Sequence, residues 1–598
     1  MKIFKRLLFL LSPQEKIDAG LLLIMIVIMA FLDAIGIASI LPFMAVLTNE
    51  SLVDTNFIFK KIFEASNIFG VENNEQFLFF LGLVVFFLLI VSLTFKIVTI
   101  YMQIRFVQMR EHSIGKRLME VYLNQPYSWF LSRHSSDLGK TILSEVQQLI
   151  AKGMGSLMEL VSKGMVATAI IILLILVDLK LAITVGFSLL CAYGMIFFSI
   201  RIYLNKIGKI RLINNELRFK AINEAFSAIK DVKFLGLENI CINLFSHSAK
   251  KFANTQASSG VLGQIPRFIL EAIAFGGILI IILFIISRTG NFNNALPILS
   301  LYVFAAYRLM PAIQQIYNSL TNLTFIAPSI DKIYNELNEL KITNINHNQE
   351  TISFNKSISL ENIFYNYPNS SSPVLKDINI NIPAKSTIGL VGATGSGKTT
   401  TVDIILGLLE AQKGNLKVDG KIISKENLKS WQKSIGYVPQ HIYLSDNTIE
   451  SNIAFGIELK DINEAAVKKA AKISNLHTFV TTKLPKQYKT IIGENGVRLS
   501  GGQRQRIGIA RALYHNPKIL VFDEATSALD NQTEKAVMDA VNYLSKEVTI
   551  ILIAHRLGTV KNCDKIFILD DGKIINEGKF DELFNNSETF RKNAINSK

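Results

Sequence analysis

Six long apolar stretches in the first 320 residues constrain most strongly what this chain can fold into. Each has about 20 residues or more, which is the length that a helix needs to cross the ~30 Å hydrocarbon core of a bilayer. We therefore predict a membrane domain with six transmembrane helices. The predicted spans are residues 20–47, 77–100, 157–177, 181–200, 267–287 and 296–318.

The chain changes character after Leu340, where apolar runs shorten to the length of a strand and charged residues are interspersed among them. The polar segment 344–353 is typical of a linker. Near the N-terminus, Pro13 interrupts a short apolar run that no small-residue cleavage site follows. This favours an amphipathic helix on the inner membrane surface over a cleaved signal peptide. The predicted parts are this helix at 1–19, a membrane domain at 20–325, a linker at 326–352 and a soluble domain at 353–598.

The composition excludes several classes of protein. Hydrophobic residues make up 49% of the chain and charged residues 19%, which excludes intrinsic disorder because disorder requires low hydrophobicity. The 3 cysteines lie far apart without CxxC spacing, so neither a disulfide framework nor a cysteine metal site is encoded. The formal charge of +15 suits either nucleic-acid binding or cytoplasmic loops rich in Lys and Arg. The six spans favour the loops, and we expect no nucleic-acid partner.

The segments between the spans indicate how the membrane helices continue. Spans two and three, and spans four and five, are separated by roughly 55 and 65 residues that are compatible with helix. We predict that these helices extend far into the cytoplasm. Residues 178–180 alone separate the third and fourth spans, which predicts a tight outer hairpin. An amphipathic run at residues 57–69 is expected to lie on the outer membrane surface.

A glycine-rich loop marks the soluble domain. Residues 392–399 read Gly-Ala-Thr-Gly-Ser-Gly-Lys-Thr, follow an apolar strand and match the pattern GxxxxGK[ST]. Glycines allow backbone N–H groups to converge on phosphate oxygens, and the following helix presents its positive end to them. Lys398 is predicted to reach the β- and γ-phosphates of a nucleotide, and the Thr399 hydroxyl to bind Mg²⁺. The predicted nucleotide-binding residues here are Gly392, Ala393, Thr394, Gly395, Ser396, Gly397, Lys398, Thr399 and Thr400.

Two adjacent carboxylates end a second apolar strand. Residues 518–522 are typical of the core of a parallel sheet, and Asp523 and Glu524 follow directly. Neighbouring carboxylates repel each other unless a cation or a reaction uses them. We predict that Asp523 is a partner of the Mg²⁺ ion and that Glu524 is the base that polarises an attacking water.

Three more sequence features accompany the glycine-rich loop and the paired carboxylates. Residues 499–503 read Leu-Ser-Gly-Gly-Gln, the sequence ATSALD follows Glu524, and His555 lies further along the chain. Together with the glycine-rich loop and the paired carboxylates, these motifs cover the whole soluble half and resemble those of the ATP-binding cassette (ABC) ATPases. The resemblance implies a membrane all-α domain of six transmembrane helices, of ABC exporter type, fused to an α/β P-loop nucleotide-binding domain. It also implies an ATPase coupled to transport, with ATP and Mg²⁺ as cofactors.

The resemblance assigns roles to matching positions. Tyr367 would stack on adenine, with an ordinary surface aromatic as the alternative. Gln440 would sense Mg²⁺, and His555 would contact the γ-phosphate, with a structural histidine as the alternative. Because ATP is cytosolic and the number of spans is even, the nucleotide-binding domain and both termini are expected on the cytoplasmic side of a bacterial inner membrane. The signature residues that would also contact nucleotide are Ser500, Gly501, Gly502 and Gln503.

The same resemblance implies a dimer. In the family, the signature residues contact a nucleotide that is held by the other subunit, so a chain with one copy of each motif cannot close a site alone. Complete motifs favour a homodimer, although a heterodimer stays open. Residues 124–130 and 230–237 fall where exporters place short helices that contact the ATPase, with plain loops as the alternative.

Charged residues inside the predicted spans are costly and by default suggest function. Lys96, Arg267 and Arg308 suggest a basic cavity that receives an anionic, phosphate-bearing headgroup. Each has an ordinary alternative: Lys96 snorkels to the interface, Arg267 pairs with Glu271 four residues on, and Arg308 pairs with Asp33.

The sequence segments around Arg267 and Arg308, together with the amphipathic residues 57–69, resemble those of bacterial flippases for lipid-linked oligosaccharides. This resemblance implies a protein that moves an anionic amphipathic lipid from the inner to the outer leaflet. A lipid-linked oligosaccharide is the substrate that it favours. A lipid A, phospholipid or multidrug exporter is the alternative transporter. A cassette ATPase that regulates a channel is an alternative of another class, disfavoured because the nucleotide motifs are complete.

Overall fold

The structure is a computed structural model that describes residues 2–48, 53, 56–177, 179–289, 296–340, 352–368, 370, 372–524, 547–554, 557–586 and 590. The chain forms two compact units. The first comprises Met1–Gln125 and Arg133–Ile342, and the second comprises Pro126–Ser132 and Thr343–Lys598.

The first unit is built from helices, and its first long helix begins at Pro13 rather than near residue 20. Ser12 caps this helix, because its hydroxyl accepts from the backbone N–H of Glu15 while the Glu15 carboxylate accepts from the backbone N–H of Ser12 at 2.8 Å. Proline suits the first helical turn, where its missing N–H costs nothing. In chain order the helices up to residue 339 are α1 (Lys2–Phe9), α2 (Pro13–Ala38), α3 (Ile40–Thr48), α4 (Phe57–Ser66), α5 (Asn74–Leu123), α6 (Tyr127–Phe130), α7 (Ser135–Lys140), α8 (Val146–Gln148), α9 (Gly155–Val177), α10 (Leu179–Ser227), α11 (Ile229–Leu235), α12 (Glu238–Thr289) and α13 (Leu296–Glu339), of which α6 belongs to the second unit.

Several helices are much longer than a bilayer is thick. Helix α5 has 50 residues and is therefore about 75 Å long, against a hydrocarbon core of ~30 Å. Three helical runs of the described chain are long and apolar enough to cross a membrane: Pro13–Thr48, Asn74–Leu123 and Ser135–Val177. They contain the first three predicted spans. The last three predicted spans lie in α10, α12 and α13, many of whose apolar side chains are outside the described set.

Contacts with α13, and not the apolar face alone, hold the N-terminal helix α1 in place. Leu7 is buried, and the Arg6 guanidinium forms an ion pair with Asp331 and lies over the ring of Tyr334, both on α13.

Helix α13 continues to Glu339. Residues 326–339, which we predicted to be part of the linker, therefore continue the last membrane helix. Their apolar side chains recur at helical spacing and are buried, which explains why the helix does not end earlier; they include Ile326, Ile330 and Ile333.

Two π-helical stretches, Thr141–Glu145 and Leu149–Met154, interrupt the run from α7 to α9. Such stretches are rare and are often found at functional sites. They lie in the part of the run that precedes the third predicted span, where the sequence predicts a cytoplasmic extension.

The second unit contains two sheets. A four-stranded antiparallel sheet has the order β2-β1-β4-β5, and a six-stranded sheet has the order β10-β9-β3-β8-β7-β6. In the larger sheet all neighbouring pairs are parallel except β9 with β10. The strands are β1 (Ser357–Tyr365), β2 (Leu375–Pro383), β3 (Thr387–Gly392), β4 (Lys413–Val418), β5 (Lys421–Ile422), β6 (Ile435–Val438), β7 (Ile519–Asp523), β8 (Thr549–Ile553), β9 (Lys565–Asp570) and β10 (Lys573–Gly578).

The strands β3 and β7 are buried apolar runs, as a sheet covered on both faces requires. Their carboxyl ends meet at one edge of the sheet, which is where open α/β sheets bind ligands. The α/β nucleotide-binding fold predicted from the sequence is therefore confirmed. The helices of this unit, besides α6, are α14 (Lys398–Ile405), α15 (Leu428–Lys433), α16 (Ile449–Ile453), α17 (Glu464–Ile473), α18 (His477–Lys483), α19 (Gly501–Tyr514) and α20 (Phe580–Asn586).

Candidate nucleotide-binding site

The glycine-rich loop connects β3 to α14, as predicted. Gly395 and Gly397 have φ angles of 84° and 98°, a region that favours glycine. A Cβ atom on Gly397 would also come within 2.6 Å of Leu375 Cδ2. Helix α14 begins directly after the loop, so its unpaired N–H groups and positive dipole end face the space that the loop encloses.

Lys398 folds back over this loop. Its Nζ donates to the carbonyl oxygens of Gly392 and Ala393 at 2.8 and 2.9 Å. Burial lowers the pKa of Lys398 below its usual range, and the carboxylates of Glu524 and Asp523 oppose that shift. The two carboxylates are thus within electrostatic range of the lysine, and the three groups belong to one site.

The polar atoms of the loop are also suited to bind a chain of phosphate groups. The Ser396 hydroxyl is buried and makes no hydrogen bond to any residue that the structure describes. An anion at the start of α14 would give this donor an acceptor and would complement the lysine charge. The residues present therefore fit the triphosphate of ATP.

Asp523 and Glu524 end β7 at the same edge of the sheet. The Tyr437 hydroxyl donates to Asp523 Oδ2 at 3.4 Å, and Gln440 Nε2 donates to Glu524 Oε2 at 2.7 Å. Glu524 has a φ of 50°, an uncommon conformation for a residue with a side chain and one that clusters at functional sites. The structure thus brings together Gln440 and Glu524, which the sequence predicted as parts of one centre.

Tyr367 contacts the first turn of α14. Its hydroxyl is 3.0 Å from Thr400 Oγ1, and its ring is half-buried beside Tyr365, with ring centroids 5.2 Å apart. This places the predicted adenine-stacking residue at the glycine-rich loop. Thr399, the predicted Mg²⁺ ligand, is exposed in the first turn of α14.

The signature motif forms the start of a helix. Ser500 caps α19 through a capping box: its hydroxyl accepts from the Gln503 backbone N–H at 3.3 Å, and Gln503 Oε1 accepts from the Ser500 backbone N–H at 2.9 Å. Ser500 is exposed, so the N–H groups of Gly501 and Gly502 lie at an accessible helix N-terminus. This is an anion-binding geometry of the same kind as the one at α14.

Sequence reasoning missed two residues of the site, Asp403 and Tyr437. Asp403 lies on α14 one turn after Thr399, and burial followed by the charge of Asp523 raises the pKa of Asp403 to about 6. Burial and these same carboxylates raise the pKa of Tyr437. The available signal was spacing: Asp403 is four residues after Thr399, and Tyr437 is three residues before Gln440.

Some predicted site residues lie outside the described part of the chain. His555 and the segment 525–530 that contains ATSALD are among them. Arg308 lies in α13, but its side chain is not described.

The other two predicted substrate-binding residues, Lys96 and Arg267, form ion pairs within the membrane unit. Lys96 Nζ lies 3.2 Å from Asp33 Oδ2, and Ser92 donates to the other oxygen of Asp33 at 2.8 Å. Arg267 Nε lies 2.8 Å from Glu271 Oε1, as the ordinary alternative for this pair predicted. Asp33 therefore binds Lys96, a pairing that the sequence did not indicate.

Comparison with known proteins identifies the family. Residues 20–310 match the family model described as ABC transporter transmembrane region, and residues 375–527 match the model described as ABC transporter. The chain is 31% identical over 488 residues to the ATP-dependent lipid A-core flippase of Saccharophagus degradans, covering 80% of both chains. It is 28% identical over 476 residues to the heterocyst differentiation ATP-binding protein HepA of a Nostoc species, covering 79% of this chain and 76% of that protein.

A solved bacterial Atm1-family ABC exporter with ATP bound has the same fold. The TM-score is 0.77 at 21% identity, over 93% of this chain and 97% of that chain.

Fold and site together define a membrane-spanning ATPase coupled to transport. The chain belongs to the ATP-binding cassette transporters, and it has the organisation of an exporter-type half-transporter, with one membrane domain and one ATPase domain. The predicted family, fold class, ATP binding and ATPase activity are confirmed.

Proposed function

We propose that this protein is a flippase that uses ATP hydrolysis to move an anionic amphipathic lipid from the inner to the outer leaflet of a bacterial inner membrane. The observation that carries the proposal is the similarity to a lipid A-core flippase along four fifths of both chains, membrane part included. Lys96, Arg267 and Arg308, which lie in membrane helices, are the cations that we propose to contact a phosphate-bearing headgroup.

A lipid-linked oligosaccharide is the first substrate to test, since the segments around Arg267 and Arg308 resemble flippases for such lipids. A lipid A or phospholipid substrate is the second, and the names of the relatives favour it. The two share a phosphate-bearing headgroup on apolar chains, so the same cations would serve either. Lys96 and Arg267 each form an ion pair within the membrane unit. Arg308 is the first position to test for headgroup binding, because a guanidinium can bind a phosphate through two hydrogen bonds.

Each residue of the nucleotide site has one proposed role in ATP hydrolysis. Lys398 and the loop N–H groups bind the β- and γ-phosphates, and Tyr367 stacks on adenine. Glu524, held by Gln440, orients the attacking water and accepts its proton, and His555 contacts the γ-phosphate. Thr399, Asp523 and Gln440 are oxygen-bearing side chains of the kind Mg²⁺ takes, and the ion when bound would neutralise charge on the phosphates.

The proposal also includes a homodimer with two ATP sites. The exposed N-terminus of α19 at Ser500 fits the phosphates of a nucleotide held by a second copy of the chain. Closure of two such sites around ATP and their opening after hydrolysis would drive the membrane helices between two states. In this arrangement the nucleotide-binding domain and both termini are cytoplasmic. The proposed domains are residues 20–325 and 353–598, with an interfacial helix at 1–19.

Reconstitution tests the substrate. The purified chain is placed in liposomes that contain either a polyprenyl-pyrophosphate-linked saccharide or lipid A, and the lipid exposed on the outside is measured with and without ATP. ATP-dependent transfer of either lipid is expected, and transfer of the saccharide lipid alone selects the first substrate. If neither lipid moves while ATP is hydrolysed, the proposed flippase function is wrong and a multidrug exporter becomes the better hypothesis.

A further inference from the structure

A cluster of six polar side chains lies in the helical extensions of the membrane unit, and the proposed ATP and lipid sites use none of them. Tyr122, on α5, donates its hydroxyl to a carboxylate oxygen of Glu336, on α13, and both residues are buried. The Arg133 guanidinium, two residues before α7, lies 3.8 Å from the other oxygen of that carboxylate. The members of this junction cluster are Tyr122, Arg133, Asp137, Lys140, Lys332 and Glu336.

Asp137, on α7, binds two lysines. Lys332 Nζ, from α13, donates to both of its carboxylate oxygens, at 2.8 and 3.0 Å. Lys140 Nζ lies 2.7 Å from Asp137 Oδ1, and the Lys140 side chain is fully buried. Burial alone would raise the pKa of Asp137, but the hydrogen bonds from Lys140 and Lys332 outweigh it and lower that pKa. Asp137 is therefore an ionised carboxylate that joins α7 to α13.

Both sets of contacts meet on one turn of α13. Lys332 and Glu336 lie four residues apart and so on the same face of that helix. This turn binds α5 through Tyr122, and it binds the start of α7 through Arg133 and Asp137. Burying such charges costs desolvation energy, which apolar side chains would not. Hydrogen bonds need defined distances and angles, however, so the junction cluster fixes how the three helices lie against one another.

The place of the junction cluster in the chain indicates what it is for. The chain crosses between the two units at three places, which follow Gln125, Ser132 and Ile342. Tyr122 lies three residues before the first crossing, Arg133 directly follows the second, and Glu336 lies six residues before the third. The junction cluster thus binds together the three pieces of the membrane unit that lead to the nucleotide-binding unit.

We propose that Lys332 and Glu336 are positioning residues that make the membrane helices follow the nucleotide-binding unit as one body. Because the three crossings are tied together, a displacement of that unit moves α5, α7 and α13 in concert. Without the junction cluster, these helices would shift separately near the crossings, and ATP would be hydrolysed with little movement of their outer parts. The inference rests on the proposed function, in which closure of the ATP sites drives the membrane helices between two states.

Hydrogen–deuterium exchange of the full-length chain in lipid nanodiscs tests the inference, with and without ATP and orthovanadate. In the wild type, the nucleotide is expected to change exchange at the glycine-rich loop and α19, and also at the outer ends of α5 and α9 near Asn74 and Val177. The double variant Tyr122→Phe, Lys332→Met removes one bond on each side of the segment 126–132. It should keep the response of the ATP site and lose the response of the outer helix ends.

Activity gives a second readout of the same variant. ATP hydrolysis should continue, because no residue of the nucleotide site is changed. The amount of polyprenyl-pyrophosphate-linked saccharide transferred per ATP hydrolysed should fall about tenfold or more, since a loss of one charge-assisted hydrogen bond already corresponds to about that factor. A loss of coupling with hydrolysis retained is what a positioning role predicts and a loss of folding does not.

The matched control is the double variant Tyr101→Phe, Lys116→Met. It makes the same two substitutions at exposed positions of α5, and its exchange response should equal that of the wild type. Lys332→Arg keeps a cation beside Asp137 and should also preserve the response of the outer helix ends. If thermal unfolding shows that the double variant at Tyr122 and Lys332 does not fold, each single variant gives the same test and should lose part of the response.

Two results would overturn the inference. One is an unchanged response of the outer helix ends when Tyr122 and Lys332 are both substituted. The other is loss of the response at the ATP site as well, which would mean that the junction cluster only stabilises the fold. If the outer helix ends of the wild type do not respond to nucleotide, the proposed coupling is wrong and the inference falls with it. If they respond but the saccharide lipid is not transferred, the proposed substrate alone is wrong, and the exchange results still decide the role of the cluster.

Discussion

Arg211 and Glu145 form an ion pair in which neither side chain is exposed to solvent, with Arg211 Nη2 2.6 Å from Glu145 Oε2. Ser329 donates to the same carboxylate oxygen at 2.7 Å, and Asn215 donates to the other oxygen at 2.7 Å. The cluster therefore joins α10 and α13 to the π-helical stretch that ends at Glu145. It lies outside the predicted spans, in the helical extensions that continue from them.

Breaking this pair should destabilise the chain strongly. Arg211→Met leaves the Glu145 charge buried and unpaired, which costs about 3–5 kcal/mol in the free energy of unfolding. The double variant Glu145→Gln, Arg211→Met removes both charges and should recover most of that loss. Denaturant unfolding in detergent measures both. Lys116→Met is the matched control, because its exposed pair with Glu120 is worth less than about 1 kcal/mol. Equal losses in the Arg211→Met and Lys116→Met variants would contradict the prediction.

The same pair predicts a pH dependence of stability. Burial alone would raise the pKa of Glu145, but the Arg211 charge and the hydrogen bonds from Asn215 and Ser329 outweigh it, so the pKa lies below the ordinary value of 4.5. A carboxyl whose pKa is lower in the folded state contributes stability above its ordinary pKa and loses it as the pH falls. Between about pH 5 and pH 3, the wild type should lose more stability than the double variant, which has no charge to protonate there. Parallel pH profiles would show that the pair contributes nothing to this dependence.

Lys398→Ala should abolish ATP turnover. The substitution removes the cation that lies over the glycine-rich loop, and loss of one such stabilising group lowers the rate about a hundredfold or more. Phosphate release by the reconstituted chain measures it, with Lys421→Ala, an exposed lysine on β5, as the control that retains turnover. Hydrolysis at the wild-type rate in the Lys398→Ala variant would refute the assigned phosphate loop.

Glu524→Gln should separate ATP binding from hydrolysis. The amide keeps an oxygen that can accept from Gln440, so the local geometry survives, but it cannot accept a proton from water. Turnover should fall by about 10²-fold or more, while the variant binds ATP and stays dimeric. Equilibrium ATP binding and size-exclusion chromatography with ATP check the two halves of the prediction. Turnover close to the wild-type rate would remove Glu524 as the base.

The parts of this protein that the sequence predicts best are those that local pattern determines. The glycine-rich loop and the strand that ends at Asp523 each follow from a short run of residues, and the structure has both elements at their predicted places. The start of α2 at Pro13 and the end of α13 at Glu339 differ from prediction, because helix ends depend on caps and packing as much as on apolar length.

The sequence does not predict which side chains from distant segments pair in the folded protein. Asp33 and Lys96 are 63 residues apart in the chain, and nothing in either segment indicates that their side chains meet. The same holds for Tyr437 and Asp523, whose side chains meet because the strands β6 and β7 pair in parallel. The bonds to Glu145, at the end of the first π-helical stretch, also come from other helices, so no local pattern indicates them.

Arg308→Ala tests recognition of the headgroup. Arg308 lies in α13 within the last predicted span, and a guanidinium can bind a phosphate through two hydrogen bonds at once. If it receives the lipid phosphate, Arg308→Ala should lower ATP-dependent transfer of the polyprenyl-pyrophosphate-linked saccharide about tenfold, which is the loss of one charge-assisted hydrogen bond. Hydrolysis of ATP in the absence of substrate should continue, because the substitution leaves the nucleotide site intact. Arg308→Lys keeps the charge without the planar fork and should transfer at an intermediate rate; transfer that is the same in all three proteins would mean that the headgroup is bound elsewhere.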